Sequence, residues 1–301
     1  MPPPFLTFNH YCQDNFGTRL VKVALSAGAP CPHRDAASGG CTFCNPLAYS
    51  QPGMERQSVA AQLETGIKQM GRRYAASSFA TYFQENTTTA LPLARLREAL
   101  LTATAQPAVR MIFVGTRPDF LSGGTLELLQ EFNERLPLWV ELGIQTRHDR
   151  TLQLLNRGHD SRCVVKACER LKQYGIPVVA HMMLGLPGET TTMMQQSLQF
   201  LQQLDIAGVK LHHLQVHRNT VLADQYAAGA VPVLELEEYL TLLCELLPWV
   251  PPRAVVFRLF AEARQDLLLA PQWHLPKARL IDLVYRRLRE VGVRQGEHYQ
   301  S

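Results

Sequence analysis

The chain has 301 residues, 46% of them apolar and 19% charged, with a formal net charge of +4. That composition excludes a disordered or fibrous protein, and no apolar run approaches the ~18–20 residues a helix needs to span a bilayer. The mild, evenly spread charge neither requires nor excludes a nucleic-acid partner, and the opening residues lack the basic-then-apolar pattern of a secretory signal, so the cytoplasm is the expected compartment.

In chain order, the apolar segments alternate between two periods. Strand-like runs at 20–28, 79–84, 109–118, 138–146, 176–187, 208–216 and 254–260 are separated by helical patterns at 57–71, 91–104, 124–135, 161–174, 191–203, 235–247 and 276–291. In the segment 161–174, Ser161 is the expected N-cap and Gly175 the C-terminal stop. The last helix carries one apolar stripe, Leu280, Val284, Leu288 and Val291. Strands alternating with helices imply βαβ units and a parallel sheet, because parallel neighbours need crossover connections. The expected fold class is therefore α/β, a TIM-like (β/α) barrel, partial or complete. We read residues 1–301 as one catalytic unit, with a barrel core at about 18–220 and a C-terminal α/β extension at about 221–301. Six basic residues between Lys277 and Arg294 mark either a solvated helix face or a patch for an anionic partner.

Seven cysteines, at 12, 31, 41, 44, 163, 168 and 244, are an odd count without a secretory signal, which favours free thiols and a metal site over disulfides. Cys31, Cys41 and Cys44 form a C-x9-C-x2-C segment directly after the first strand, at the end of a barrel strand where active sites form. Three thiolates can hold three corners of a cubane and leave the fourth iron open. The competing metal is structural zinc, with Cys12 or His33 as a fourth ligand, although zinc sites commonly use two C-x2-C pairs and only one exists here.

The same segment, CPHRDAASGGCTFCN, resembles the opening motif of the YhcC-type branch of the radical SAM superfamily, which is related to the radical SAM domain of the elongator catalytic subunit. FQENTTT (83–89), GTRPDF (115–120), VELGIQTRHDRTLQLLNRGHD (140–160), HMMLGLPGET (181–190) and GVKLHHLQVHRNTVL (208–222) extend the likeness in order, over about residues 8–300. The resemblance implies a partial barrel of the radical SAM type, a [4Fe-4S] cluster on Cys31, Cys41 and Cys44, and S-adenosylmethionine (SAM) as cofactor. In such enzymes one electron, from a donor such as flavodoxin or ferredoxin, cleaves SAM to methionine and a 5′-deoxyadenosyl radical.

Further roles follow from the resemblance, residue by residue. Phe43 would shield the cluster from water. Glu85 falls where the superfamily contacts the methionyl amine, although Phe83-Gln84-Glu85 replaces the usual two glycines and an acid. Glu141 and Gln145 suit the ribose hydroxyls and the SAM amine, and Arg157 would pair with the methionyl carboxylate through its planar donor fork. His181, Lys210 and His212 are the candidate catalytic groups at strand ends; either Lys210 and His212 or the opposite face with His213 points into the barrel. Gly185, Pro187 and Gly188 read as turn formers, since no Walker-type lysine follows. The favoured reading is a radical SAM enzyme acting on an unidentified substrate, with a modified RNA base as one candidate by analogy. The rival is an iron–sulfur or zinc-binding regulator that never cleaves SAM.

Overall fold

A computed structural model describes residues 3–49 and 53–299. Seven parallel strands form one curled sheet in the order β1-β2-β3-β4-β5-β6-β8: β1 (Val21–Leu25), β2 (Phe79–Phe83), β3 (Val109–Thr116), β4 (Leu138–Gln145), β5 (Val178–Leu184), β6 (Gly208–His213) and β8 (Val255–Arg258). The expected α/β barrel is thus a half-barrel, and its seventh strand comes from beyond residue 220, in the stretch read as an extension. Helices α2 (Val59–Tyr74), α3 (Leu93–Thr104), α4 (Gly123–Arg135), α6 (Ser161–Gln173) and α7 (Thr191–Gln203) form the crossovers. A small antiparallel pair, β7 (Val216–His217) with β9 (Leu268–Ala270), stands beside the sheet.

Strand side chains alternate between two faces, and the apolar core divides accordingly. Val21, Val23, Ile112, Val114, Val140, Leu142 and their like pack against the helices in the main core. The alternate residues Tyr82, Met111, Phe113, Trp139, Val179 and Val255 form a second core inside the curl. A helix that the strand–helix alternation does not require, α1 (Phe8–Phe16), closes that inner core. Its Phe8 meets Phe113 edge-on at 5.7 Å and its Tyr11 meets Trp139 at 4.9 Å, both favourable aromatic geometries.

Local signals explain the element ends, with small differences. Helix α6 is capped by the Asp160 side chain rather than by Ser161, because Asp160 is the last extended residue and accepts from Cys163 N–H. Helix α10 (Lys277–Val291) buries Val284 and Leu288, but Val291 is exposed in its final residue, just before the left-handed Gly292. Among the described residues no helix is long and apolar enough to cross a membrane.

Helix α2 crosses β1 so closely that a Cβ on Gly66 would lie 2.4 Å from Val23 Cγ1. In an exposed helix interior, Gly→Ala stabilises by up to about 1 kcal/mol; here the clash outweighs that gain. Gly66→Ala is expected to lower stability by roughly 1–3 kcal/mol, and Val23→Ala in the same chain should recover part of it. Urea denaturation checks both, and a Gly66→Ala midpoint at or above wild type would count against this close crossing.

Candidate functional site

The inward faces of the strands carry charge where the sequence otherwise reads as apolar. Glu141 on β4 is 2% exposed, and both its oxygens are engaged. Lys22 Nζ donates to Oε1 at 3.1 Å, Lys210 Nζ to Oε2 at 2.5 Å, and His181 Nε2 lies 3.1 Å from Oε2. Burial alone would raise the Glu141 carboxyl, but Lys210, Lys22 and His181 together hold it well below the usual range, so it is ionised. Lys210 also donates to the Tyr82 hydroxyl at 3.1 Å. Burial, aided by Lys22 and Arg258, outweighs Glu141 and brings Lys210 below the ordinary lysine range. Lys22 Nζ sits 3.5 Å from the Phe113 ring centroid and 4.3 Å from that of Phe257, a cation between aromatic faces. The histidines here are neutral at pH 7: burial pushes His181 down to about 4 and His212 well below its ordinary value.

Strand register explains the assembly. His181 lies opposite Lys210, and Lys210 opposite Arg258, so one polar layer runs across β5, β6 and β8. Lys210 and His212 are therefore the inward pair on β6, with the His181 and His212 rings 5.3 Å apart. His213 takes the other direction, stacking on Trp273 at 4.0 Å.

Above this layer lies a cavity of about 390 Å3 whose wall includes Cys31, Cys41 and Cys44 together with Glu141, Lys210 and His212. The three cysteines sit on the loop after β1, and burial followed by the neighbouring Cys41 pushes the Cys44 thiol up to about 11. The Asn156-Arg157-Gly158-His159 segment holds that loop. Asn156 Nδ2 donates to the carbonyls of Ser38 and Gly40, both at 2.7 Å. The carbonyl of Asn156 meets His33 Nε2 at 2.5 Å. Gly158 has φ +71°, and a Cβ there would lie 2.6 Å from the His33 ring, so this position requires glycine on both counts.

Arg157 reaches into the loop: Nη1 donates to Cys41 Sγ at 3.2 Å and Nη2 to the Gly143 carbonyl at 2.7 Å. Arg117 holds Asp119 in a two-pronged ion pair at 2.9 Å and donates to the Arg157 carbonyl at 2.6 Å. One donor on each arginine, Arg157 Nε and Arg117 Nη1, is buried without a partner among the described residues. Glu85 follows β2 and Gln145 ends β4 with φ +71°; both line the same cavity. Phe43 also reaches the cavity and packs with the small apolar cluster of Leu155, Leu186, Leu214 and Val216.

Several candidates stand elsewhere. Cys12 is fully buried in α1 within the inner aromatic core, and His33 is engaged by Asn156, so neither reads as a fourth zinc ligand. Among the described residues no three His, Cys, Asp or Glu side chains converge tightly enough for a single metal ion; a cubane spreads its ligands over separate irons. Gly185 and Gly188 take positive φ in a turn closed by Glu189 N–H on the Leu186 carbonyl, as turn formers should. Lys22, Tyr82 and Arg258 escaped the sequence reading. Their signal was a charged or phenolic residue on the face of an apolar strand opposite the helices.

Comparison with known proteins places this geometry. The Radical SAM superfamily profile matches residues 31–201, and the Radical_SAM C-terminal domain profile matches 206–290. YtqA of Bacillus subtilis is 34% identical over 297 residues, covering 98% of this chain and 92% of that protein. YhcC of Escherichia coli K12 is 35% identical over 263 residues, covering 86% of this chain and 84% of its own length. Among solved structures, the elongator protein Elp3 of Methanocaldococcus infernus, lacking its N-terminus, superposes with a TM-score of 0.72 at 19% identity. That superposition covers 92% of this chain and 64% of the archaeal one, a likeness of fold. With profiles across most of its length and relatives of this identity, the chain belongs to the radical SAM superfamily of enzymes, in its YhcC/YtqA-type branch.

Proposed function

We propose that Cys31, Cys41 and Cys44 hold a [4Fe-4S] cluster and that the adjoining cavity binds SAM, with the substrate reaching the polar layer below. The observation that carries this reading is that the cysteine loop and the polar layer wall one cavity. The donor set suits the cluster: three thiols with Arg157 Nη1 on the Cys41 sulfur. The buried orphan donors on Arg157 and Arg117 suit an anionic group beside it, such as the methionyl carboxylate. When bound, the cluster and SAM supply reductive cleavage to a 5′-deoxyadenosyl radical, with an electron from a flavodoxin- or ferredoxin-type donor. The protein's part is to clamp the cysteine loop through Asn156, to keep water from the cavity with Phe43, and to present Glu85 and Gln145 to SAM.

Glu141 takes a second role beside the ribose contact that the resemblance implies. Three of its acceptor sites are engaged by Lys22, Lys210 and His181, so it orders the polar layer and keeps one site on Oε1 toward the cavity. The helix α10 does not read as an RNA-docking face: Lys277 pairs with Glu262, Arg286 with Glu290 and Arg287 with Glu237, as on a solvated surface. We therefore place the substrate in the cavity and treat the whole chain as one catalytic unit.

Anaerobic reconstitution with iron, sulfide, dithionite and SAM tests the reading through 5′-deoxyadenosine. Replacing Cys31, Cys41 or Cys44 by Ala should abolish both that product and the iron–sulfur absorbance near about 400 nm. The same change at Cys12, Cys163, Cys168 or Cys244 should leave the absorbance in place; loss of iron in Cys12→Ala, or zinc in the purified protein, would sink the three-cysteine cluster. Separately, Arg157→Ala should retain the cluster and weaken SAM binding by roughly 10- to 150-fold, the worth of a charge-assisted contact. Calorimetry showing unchanged SAM affinity would remove Arg157 from the SAM site.

A further inference from the structure

The polar layer at the bottom of the cavity is short of negative charge. Among the described residues of this layer, Lys22 and Lys210 share one buried carboxylate, Glu141, and Arg258, 32% exposed, stands in register beside Lys210; the other acid on the cavity wall, Glu85, follows β2. Glu262 offers little relief: it lies 4.0 Å from Arg258 at the rim, is itself 36% exposed, and is held more closely by Lys277 at 2.6 Å. Tyr82 is a neutral phenol, its ionisation pushed well up by burial, and His181 and His212 are neutral, so none of them supplies the missing charge. His212 Nε2 is buried without a partner among the described residues and belongs to the same cavity wall as Lys210 and Arg258. Lys210, 5% exposed, shares its one carboxylate with Lys22, and a buried ring nitrogen without a hydrogen bond, His212 Nε2, adds its own desolvation cost. Bound SAM would not remedy this, because its sulfonium adds a further positive charge.

We propose that this layer is an anion site that receives an acidic group of the substrate, a carboxylate or a phosphate, on Lys210, Arg258 and His212. The inference rests on the cavity reading under Proposed function and names the chemical class of its substrate: a small acidic molecule, held by its charged end at the bottom of the cavity with its carbon framework toward the cysteine loop. Lys22 and Glu141 position the site without touching the ligand. Lys22 is fixed between aromatic rings, and Glu141 anchors Lys210 with one oxygen while ordering His181 with the same one. The ammonium of Lys210 has three N–H groups, of which Glu141 and Tyr82 take two; the third is left for the ligand.

The test titrates reconstituted holoenzyme with bound SAM in a chloride-free zwitterionic buffer, using inorganic phosphate, acetate, and acetamide as the uncharged control, read by calorimetry. At least one anion should bind, with affinity on the order of millimolar for so few atoms, and acetamide should not. Lys210→Met and Arg258→Gln should each weaken that binding roughly tenfold or more. Arg258→Gln, at a partly exposed strand end, serves if the buried Lys210 variant does not fold. Preference for phosphate assigns a phosphoester substrate, and preference for acetate a carboxylic acid. Wild-type protein that binds neither anion, or variants that bind as wild type does, would overturn the site. Iron content and 5′-deoxyadenosine from the same samples separate the two readings: their loss with anion binding intact counts against the cluster and SAM assignment, and their presence without anion binding counts against the anion site alone.

Discussion

An ionised carboxylate inside a protein must be matched by charge and hydrogen bonds, or it does not stay ionised. Glu141 meets that condition through three strands at once: Lys22 from β1, His181 from β5 and Lys210 from β6. Removing one partner from such a group typically costs about 3–5 kcal/mol, whereas the intact set adds little net stability over an apolar core. Its value lies in specificity. The carboxylate accepts only one arrangement of the curled sheet, in which residues far apart in sequence face one another across the lumen. Helix α1 completes that arrangement, because the aromatic rings that cage Lys22 are the ones it packs against.

A second constraint acts at the mouth. The cysteine loop is tied within itself, through Ser38 to Asp35 and from Arg34 to the Cys44 carbonyl, but those bonds do not fix it against the sheet, and three sulfurs keep their register only if the loop is also held from outside. The Asn156-Arg157-Gly158 turn provides the missing rigidity. Asn156 in a left-handed conformation turns its amide onto Ser38 and Gly40, and Gly158 leaves room for His33. Arg117, locked by Asp119, braces Arg157 from behind. Family motifs spread between residues 31 and 160, CPHRDAASGGCTFCN, GTRPDF and LLNRGHD, are thus parts of one contact network. Their co-occurrence reflects a physical dependence of the loop on the other two segments.

The two ends of the cavity ask for opposite things. Burial first, and then the neighbouring thiols, raise Cys44, so ionised sulfurs there call for cationic company from Arg157 or a metal. The polar layer below has cations in excess and calls for an anion. If the proposed anion site holds, a substrate bound by its acidic end would turn a carbon of its framework, and not the acidic group, toward the cysteine loop.

The alternation of strand and helix, the C-x9-C-x2-C segment and the ordered motifs were legible in the sequence by themselves, because periodicity, side-chain chemistry and spacing are local properties. Helix α1 lies outside the helices read from the sequence, although Thr7 caps it, Gly17 ends it, and Phe8, Tyr11, Cys12 and Phe16 recur at helical spacing. What lies across the sheet was not legible. Whether Lys210 and His212 or His213 faced inward depended on the register of β6 against its neighbours, which side-chain alternation alone leaves two-fold ambiguous. That Glu141 would be claimed by two lysines and a histidine, and that a strand from residues 255–258 would add Arg258 to their layer, required the curl of the sheet to bring five strands together. Those contacts span up to 119 residues along the chain, and only closure of the tertiary fold sets them.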